Sequence, residues 1–498
     1  MLTNIIILII LYLFYDFCYK NFKYRNYGSP WALPVIGHFI HVINQPHLVV
    51  HNDRMKYNNG RFVNYWFGDY LSIAITDPIL YKKIYLNFPK QINSRLKSPT
   101  VLNISERFRG IISSNENNWD FHHGILSKLF NGHKAKINNF LFEKETKFII
   151  EYMKKISKSG ENFDTRSNFL YFYSNILFDY ILGKRVENIY ENELRKDRKK
   201  FMVSIQEVMD SVGLIKFLNY LILSYPFLSI YLRYFTYTTF NLKKILKQYY
   251  DEHLETIDLN KPRDVLDNLI MEYKNQNAIE CDKSFVAIAI ELLAAGTDTN
   301  SSTSEWFLTY LVNNPIYQDK IYDELIGALK INKPLKGSDV LINLSHRPLT
   351  PLFNATLKEV LRLIPATPFS VPRMSNEGFE VDGIKIPKGT YLFPSMYSIF
   401  RDEKYWGENA NKFYPERFLT DSHSNNYFPY GVGKRMCLGS NFSQHELYIC
   451  LTNIVLNFKI KSIDGKPLNE IPNYGITFRP NIFEVKLENP PIKKIKII

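Results

Sequence analysis

Cysteine is scarce. The 498 residues hold four, Cys18, Cys281, Cys437 and Cys450, and none stands at the paired spacing of a zinc site or a disulfide framework. A stapled secreted scaffold is thereby excluded, and a reducing compartment fits. The interior lacks a Pro/Gly/Ser-rich linker and any repeat of fixed period, which excludes tandem modules and solenoid arrays. Also missing is a flavin or dinucleotide fingerprint in strand–turn–helix context, so electrons for any redox reaction must come from a separate protein. Charge of one sign is in excess, with 62 Lys and Arg against 49 Asp and Glu for a net charge of +13. The basic residues are scattered rather than clustered, so nucleic acid is not an expected partner.

What is abundant is apolar and aromatic material, 45% and 15% of the chain, enough for a large core and an apolar pocket. Residues 2–18 (LTNIIILIILYLFYDFC) form an apolar run at the short end of what spans a bilayer as a helix. Lys20, Lys23 and Arg25 flank it and no small-residue cleavage signal follows, so residues 1–18 read as a retained single-pass anchor with the body in the cytosol. Pro30 and Pro34 stiffen the next stretch, and residues 19–37 read as a hinge. The body is 38–498.

Within the body, residues 283–313 keep apolar positions at helical spacing and stop before Pro315, which predicts a helix of about 45 Å at 1.5 Å per residue. It contains Ala295-Gly296-Thr297-Asp298-Thr299-Asn300, with a glycine where a helix interior disfavours one by about 1 kcal/mol. Small residues at Ala295 and Gly296 would let a flat cofactor approach, and Asp298 and Thr299 supply an acid and a hydroxyl for proton transfer. A kinked polar helix face is the plainer alternative. A second helix is expected to start at Thr350-Pro351, as cap and first-turn proline, and to run to Pro365. Glu359 and Arg362 share one of its faces, and with Arg417 of FYPERF they would form a cluster in which one carboxylate accepts from two guanidinium forks. Val381-Asp382-Gly383 reads as a hairpin turn and Gly389 as another, giving a mainly α fold with a minor β component.

The segment FPYGVGKRMCLGSNF, residues 428–442, is a glycine-punctuated loop that leads through Cys437 into a helix beginning near Ser440. A thiolate ligand for iron needs exposed sulfur and nearby backbone N–H groups to temper its charge. Gly431 and Gly433 permit the tight path, Gly439 allows the next helix to pack closely, and Arg435 suits a carboxylate of the bound group.

These residues resemble the cytochrome P450 family, whose cysteine loop is usually F-x-x-G-x-R-x-C-x-G. Tyr430, Gly433, Arg435, Cys437 and Gly439 match it, with tyrosine in the phenylalanine position. Residues 295–300 are similar to the family's oxygen-activating helix motif, Glu359-x-x-Arg362 to its core helix motif, and FYPERF to the loop that follows, all in the same order. The resemblance covers nearly the whole chain. It implies the cytochrome P450 fold, with haem b between the long helix and the cysteine loop and Cys437 as axial iron ligand. It also implies a membrane-bound monooxygenase of the endoplasmic reticulum type, inserting one atom of O2 into a lipophilic substrate. Electrons would come from NADPH-cytochrome P450 reductase, with cytochrome b5 as a further donor. Two departures bear on the site. Trp119 is followed by His123 where the family often has arginine against the haem propionates, although Arg373 matches another such contact. Asn300 stands where Thr or Ser is common, and would offer donors and acceptors to a water chain. By the family's layout the pocket draws on residues 100–115, 294–299, 366–370 and 474–478, and the aromatic segment 214–235 lies on the bilayer or forms a buried helical pair. A haem-thiolate isomerase needing no reductase and a haem sensor or carrier without turnover are the two rival readings; the presence of Asp298 and Thr299 counts against both.

Overall fold

The computed structural model describes residues 2–23, 28–95, 99–130, 135–185, 225–329, 341–420 and 425–490. Part of the aromatic segment, 214–224, lies outside the described residues, and 225–235 open the helix Tyr225–Thr256. Helices dominate, as expected. The predicted long helix runs Cys281–Asn313 and is buried on nearly every side, polar residues included, which is why it lacks a narrow apolar stripe. It lies against the helices Thr165–Leu182, Tyr225–Thr256 and Ser440–Asn457, whose apolar faces join it in one large core. Gly296 proves to serve this packing rather than a flat cofactor: a Cβ there would lie 2.7 Å from Leu177 Cδ1 on the neighbouring helix.

The β component is minor and distributed. Phe62–Phe67 and Tyr70–Ile75 pair antiparallel, Tyr391–Pro394 adds in parallel to the second, and Arg373–Met374 completes a four-stranded sheet. The expected hairpin joins Phe379–Val381 to Ile384–Ile386 through Asp382 and Gly383, both at positive φ as a two-residue turn demands. Residue 350 was expected to cap the helix Pro351–Leu363 and does not. Its hydroxyl turns to Arg347 O at 3.1 Å and Tyr448 Oη at 2.9 Å. Instead Glu324, from the helix Pro315–Leu329, accepts from the N–H groups of Leu352 (2.7 Å) and Phe353 (2.9 Å), placing a negative charge at the helix's positive end.

The expected carboxylate–arginine cluster is present and fully buried. Arg362 donates to both oxygens of Glu359, at 2.7 and 2.9 Å, and Arg417 Nε reaches the same carboxylate at 3.2 Å. The remaining guanidinium hydrogens go to backbone carbonyls of Phe400, Ala410, Trp406 and Asn409, so the cluster ties the loop 400–417 to the helix.

At the amino end the apolar helix continues past Cys18 to Phe22, and the stretch read as a hinge is docked on the body. Asp16 accepts from Lys20 (2.8 Å) and from the Val35 N–H (2.7 Å). Asn21 and Ala32 exchange two hydrogen bonds, and Trp66 Nε1 donates to Lys20 O. Lys20 is 3% exposed, so it turns inward rather than serving as a basic flank. Towards solvent this helix shows Leu8, Leu11 and Phe14, with Trp31 beside it. It is the only described helix long and apolar enough to cross a membrane.

Over the long helix, residues 105–114 are held by Glu291. Its buried carboxylate accepts from the Ile112 N–H, and a Cβ on Gly110 would fall 2.1 Å from it, so only glycine fits there. Burial raises the Glu291 pKa from 4.5 to about 7 against the opposing pull of the Ser113 and Ile112 donors.

Two predictions follow from these contacts. Replacing Arg362 by alanine leaves Glu359 buried and part-paired, a loss of about 3 to 5 kcal/mol; the folded, haem-retaining yield of Arg362→Ala is expected to collapse, and a full yield would contradict the buried arrangement. For Glu291 the folded state holds a proton that the unfolded chain releases above pH 4.5. Its contribution is complete below that value and is lost as pH rises through about 7. The gap in thermal midpoint between wild type and Glu291→Gln should therefore shift against wild type across this window; a constant gap would remove Glu291 from the pH dependence.

Candidate active site

The cysteine loop is folded by its own backbone. Tyr430 O accepts from Cys437 N at 2.9 Å, Phe428 O from Gly431 N at 2.9 Å, and Gly433 O from Met436 N at 3.0 Å. Gly431 and Gly433 have φ of 78° and 79°, conformations that a side chain disfavours. A Cβ on Gly433 would also meet Tyr85 O at 2.5 Å. Gly439 precedes the helix Ser440–Asn457, but a Cβ there would meet no described protein atom within 4 Å, so the expected close helix packing is not what requires it. Cys437 is a free cysteine exposed on this loop. The surrounding protein raises its thiol pKa, opposed by the Gly439 N–H.

Three arginines converge beside this loop. Arg435 donates to Asn93 Oδ1 (3.1 Å), Asn93 O (3.0 Å) and Ser114 O (2.7 Å). Arg95 donates to Val371 O and Pro372 O, and Arg373 reaches Val432 O at 3.4 Å. Burial pushes all three below the ordinary arginine range, and at Arg95 and Arg435 the neighbouring guanidinium charges push the same way. Among the described residues, Arg95 Nε, Arg373 Nε and Nη1, and Arg435 Nη1 are buried with no partner. Guanidinium groups out of water with unspent donors need an anion, and two carboxylates of a haem fit this donor set. Arg95 was missed in the sequence; the isolated bridge between Ser94 and Met374 brings it beside Arg373, a contact across nearly 280 residues that no local motif carries.

Trp119 and His123 lie at the same place. Their rings stack with centroids 4.3 Å apart, and the Arg435 guanidinium sits 4.2 Å over Trp119. Burial, then Arg435, lowers the His123 pKa, so this histidine is neutral near pH 7 and adds no charge to the arginine trio.

On the long helix the expected residues separate. Thr299 Oγ1 donates to Ala295 O at 2.7 Å, within a helix that continues unbroken through both. Asp298 is buried, bound by Arg479 at 2.6 Å and by the Thr477 hydroxyl. Asn300 departs from expectation: its side chain contacts Ser443 (2.7 Å) and Glu446 (2.5 Å) on the helix behind, which removes it from a water chain. Two of the expected pocket segments meet, with Phe478 N donating to Ala366 O and the rings of Phe369 and Tyr474 6.4 Å apart.

Comparison with known proteins agrees with this geometry. The cytochrome P450 family model matches residues 28–487. "Probable cytochrome P450 518A1" of Dictyostelium discoideum is 50% identical over 495 residues, covering 98% of this chain and 99% of the relative. "Probable cytochrome P450 508A2" of the same organism is 31% identical, covering 94% and 95%. A solved zebra fish cytochrome P450, in a structure with abiraterone, shares the fold with a TM-score of 0.74 at 20% identity, covering 89% of this chain and 99% of that one. With a buried carboxylate–arginine cluster, a cysteine on a glycine-shaped loop and three buried arginines with unspent donors beside it, the chain belongs to the cytochrome P450 family of monooxygenases.

Proposed function

We propose that this enzyme is a haem b monooxygenase in which Cys437 ligates the iron and Arg95, Arg373 and Arg435 hold the propionates. The unspent, desolvated N–H groups of those arginines beside the Cys437 loop are the observation that carries the assignment. When bound, the haem supplies activation of O2, favoured by electron donation from a thiolate ligand.

The chain's own residues do the rest. The backbone N–H of Gly439 stabilises the charged sulfur. Arg435, packed over Trp119, holds its guanidinium in one orientation without help from a charge at His123. On the opposite side, Thr299 gives its own proton to Ala295 O, which leaves its oxygen as an acceptor able to steady a proton donor at the reacting site. Asp298, anchored by Arg479 and Thr477, is placed to pass protons from outside the pocket by exchanging these partners. Both groups favour oxygen insertion over a rearrangement, which needs no proton delivery.

The substrate is a lipophilic small molecule, as the aromatic contacts of Phe369 and Tyr474 suggest. NADPH-cytochrome P450 reductase is the electron source, with cytochrome b5 as a second donor. The exposed apolar helix Leu2–Phe22 anchors residues 38–498, the catalytic domain, to the cytosolic face of the endoplasmic reticulum.

The variant Thr299→Ala should bind haem and accept electrons normally while releasing most of them as hydrogen peroxide, measured as peroxide and product formed per NADPH oxidised. An unchanged ratio of product to NADPH would remove Thr299 from proton handling.

A further inference from the structure

Behind the long helix, four polar side chains form one directed chain. Tyr430 belongs to the cysteine loop, and its carbonyl accepts the Cys437 N–H. Its hydroxyl lies 3.4 Å from Ser443 Oγ. Ser443 donates its single proton to Asn300 Oδ1 at 2.7 Å, so towards Tyr430 it has only acceptor capacity left, and the tyrosine is the donor. Asn300 Nδ2 then donates to Glu446 Oε2 at 2.5 Å. Burial raises Glu446 well above the usual carboxylate range, opposed by this hydrogen bond from Asn300. Ser443 and Glu446 stand at i and i+3 of the helix Ser440–Asn457, and this one face grips both ends of the Asn300 amide.

The chain connects two segments that otherwise act separately. One end is on the loop that presents Cys437, and the third member, Asn300, is the residue directly after Thr299. On the cysteine loop the side chain can join only because it departs from the usual family residue: phenylalanine in place of Tyr430 would have no hydroxyl. Every donor in the chain points the same way, and hydrogen bonds aligned in a low-dielectric interior polarise one another.

We propose that Ser443 is a positioning residue that couples the thiolate loop to the oxygen-side helix, by accepting from Tyr430 and donating to Asn300. The proposal rests on the haem-thiolate reading of Cys437. It assigns to Tyr430 and Asn300, each hydrogen-bonded to Ser443, an energetic interaction that exists only through the Ser443 hydroxyl.

The test is a double-mutant cycle on the haem-loaded full chain, read as the reduction potential of the iron. Tyr430→Phe and Asn300→Ala are made singly and together, first in wild type and then in Ser443→Ala. In the wild-type background the two changes should fail to add by about twofold or more in the reduction equilibrium constant. In the Ser443→Ala background they should add. Additive effects in wild type, or non-additivity that survives loss of the serine hydroxyl, would overturn the proposal. Asn300→Leu, which also lacks an acceptor, replaces Asn300→Ala if the latter yields no haem protein, and the same two outcomes decide. Ser443→Thr should restore the coupling. The carbon monoxide spectrum of each variant separates the two ideas: a thiolate-type band with additive effects removes the chain alone, whereas its absence in wild type removes the haem-thiolate reading beneath it.

Discussion

Positive charge held out of water is the constraint around which this molecule is built. Arg95, Arg373 and Arg435 approach one another from three separate parts of the chain, with some of their hydrogens given to carbonyls and others to no partner among the described residues. Such a group is costly by itself and becomes favourable when an anion completes it. The four-stranded sheet holds Arg373, and the bridge between Ser94 and Met374 holds the segment carrying Arg95. The cysteine loop, shaped by Gly431 and Gly433, holds Arg435 two residues from the thiol. Anion and iron would thus be gripped by one continuous piece of structure, and binding of the cofactor should contribute to folding stability as well as to chemistry.

The second cluster, Glu359 with Arg362 and Arg417, solves the same electrostatic problem internally. One carboxylate serves two guanidinium groups, and carbonyls of the loop 400–417 take up their other hydrogens. It therefore fixes a segment whose own regular structure is limited to the short helical turns Glu403–Trp406 and Pro415–Phe418. The two clusters differ in what they leave unsatisfied: the structural one leaves no guanidinium hydrogen-bonding atom orphaned, and the one beside Cys437 leaves several.

The sequence is most legible where chemistry and spacing are local. The Cys437 loop, the pair Glu359 and Arg362, the turn at Asp382-Gly383 and the long helix all depend on residues within a turn or two, so their patterns survive in one dimension. Misreadings come where a distant partner decides. Gly296 is small because Leu177 packs on it, Thr350 is relieved of capping by Glu324, and Lys20 turns inward because Asp16 and Val35 wait for it. Asn300 looks from its neighbours like part of a water chain, and only the position of Ser443 and Glu446 shows that it faces the other way. Arg95 and Glu291 escaped notice for the same reason: each owes its role to a loop brought over it from elsewhere in the chain.

The central claim is that the Cys437 sulfur ligates a haem iron. Its most direct test is the absorbance difference spectrum of the purified protein, reduced with dithionite and exposed to carbon monoxide, taken beside Cys437→Ala. The account predicts the long-wavelength band of a thiolate-ligated ferrous haem in the wild type and its loss in the variant. A wild-type protein that binds haem but shows only the short-wavelength band of a non-thiolate ligand, or a variant that keeps the long-wavelength band, would contradict it.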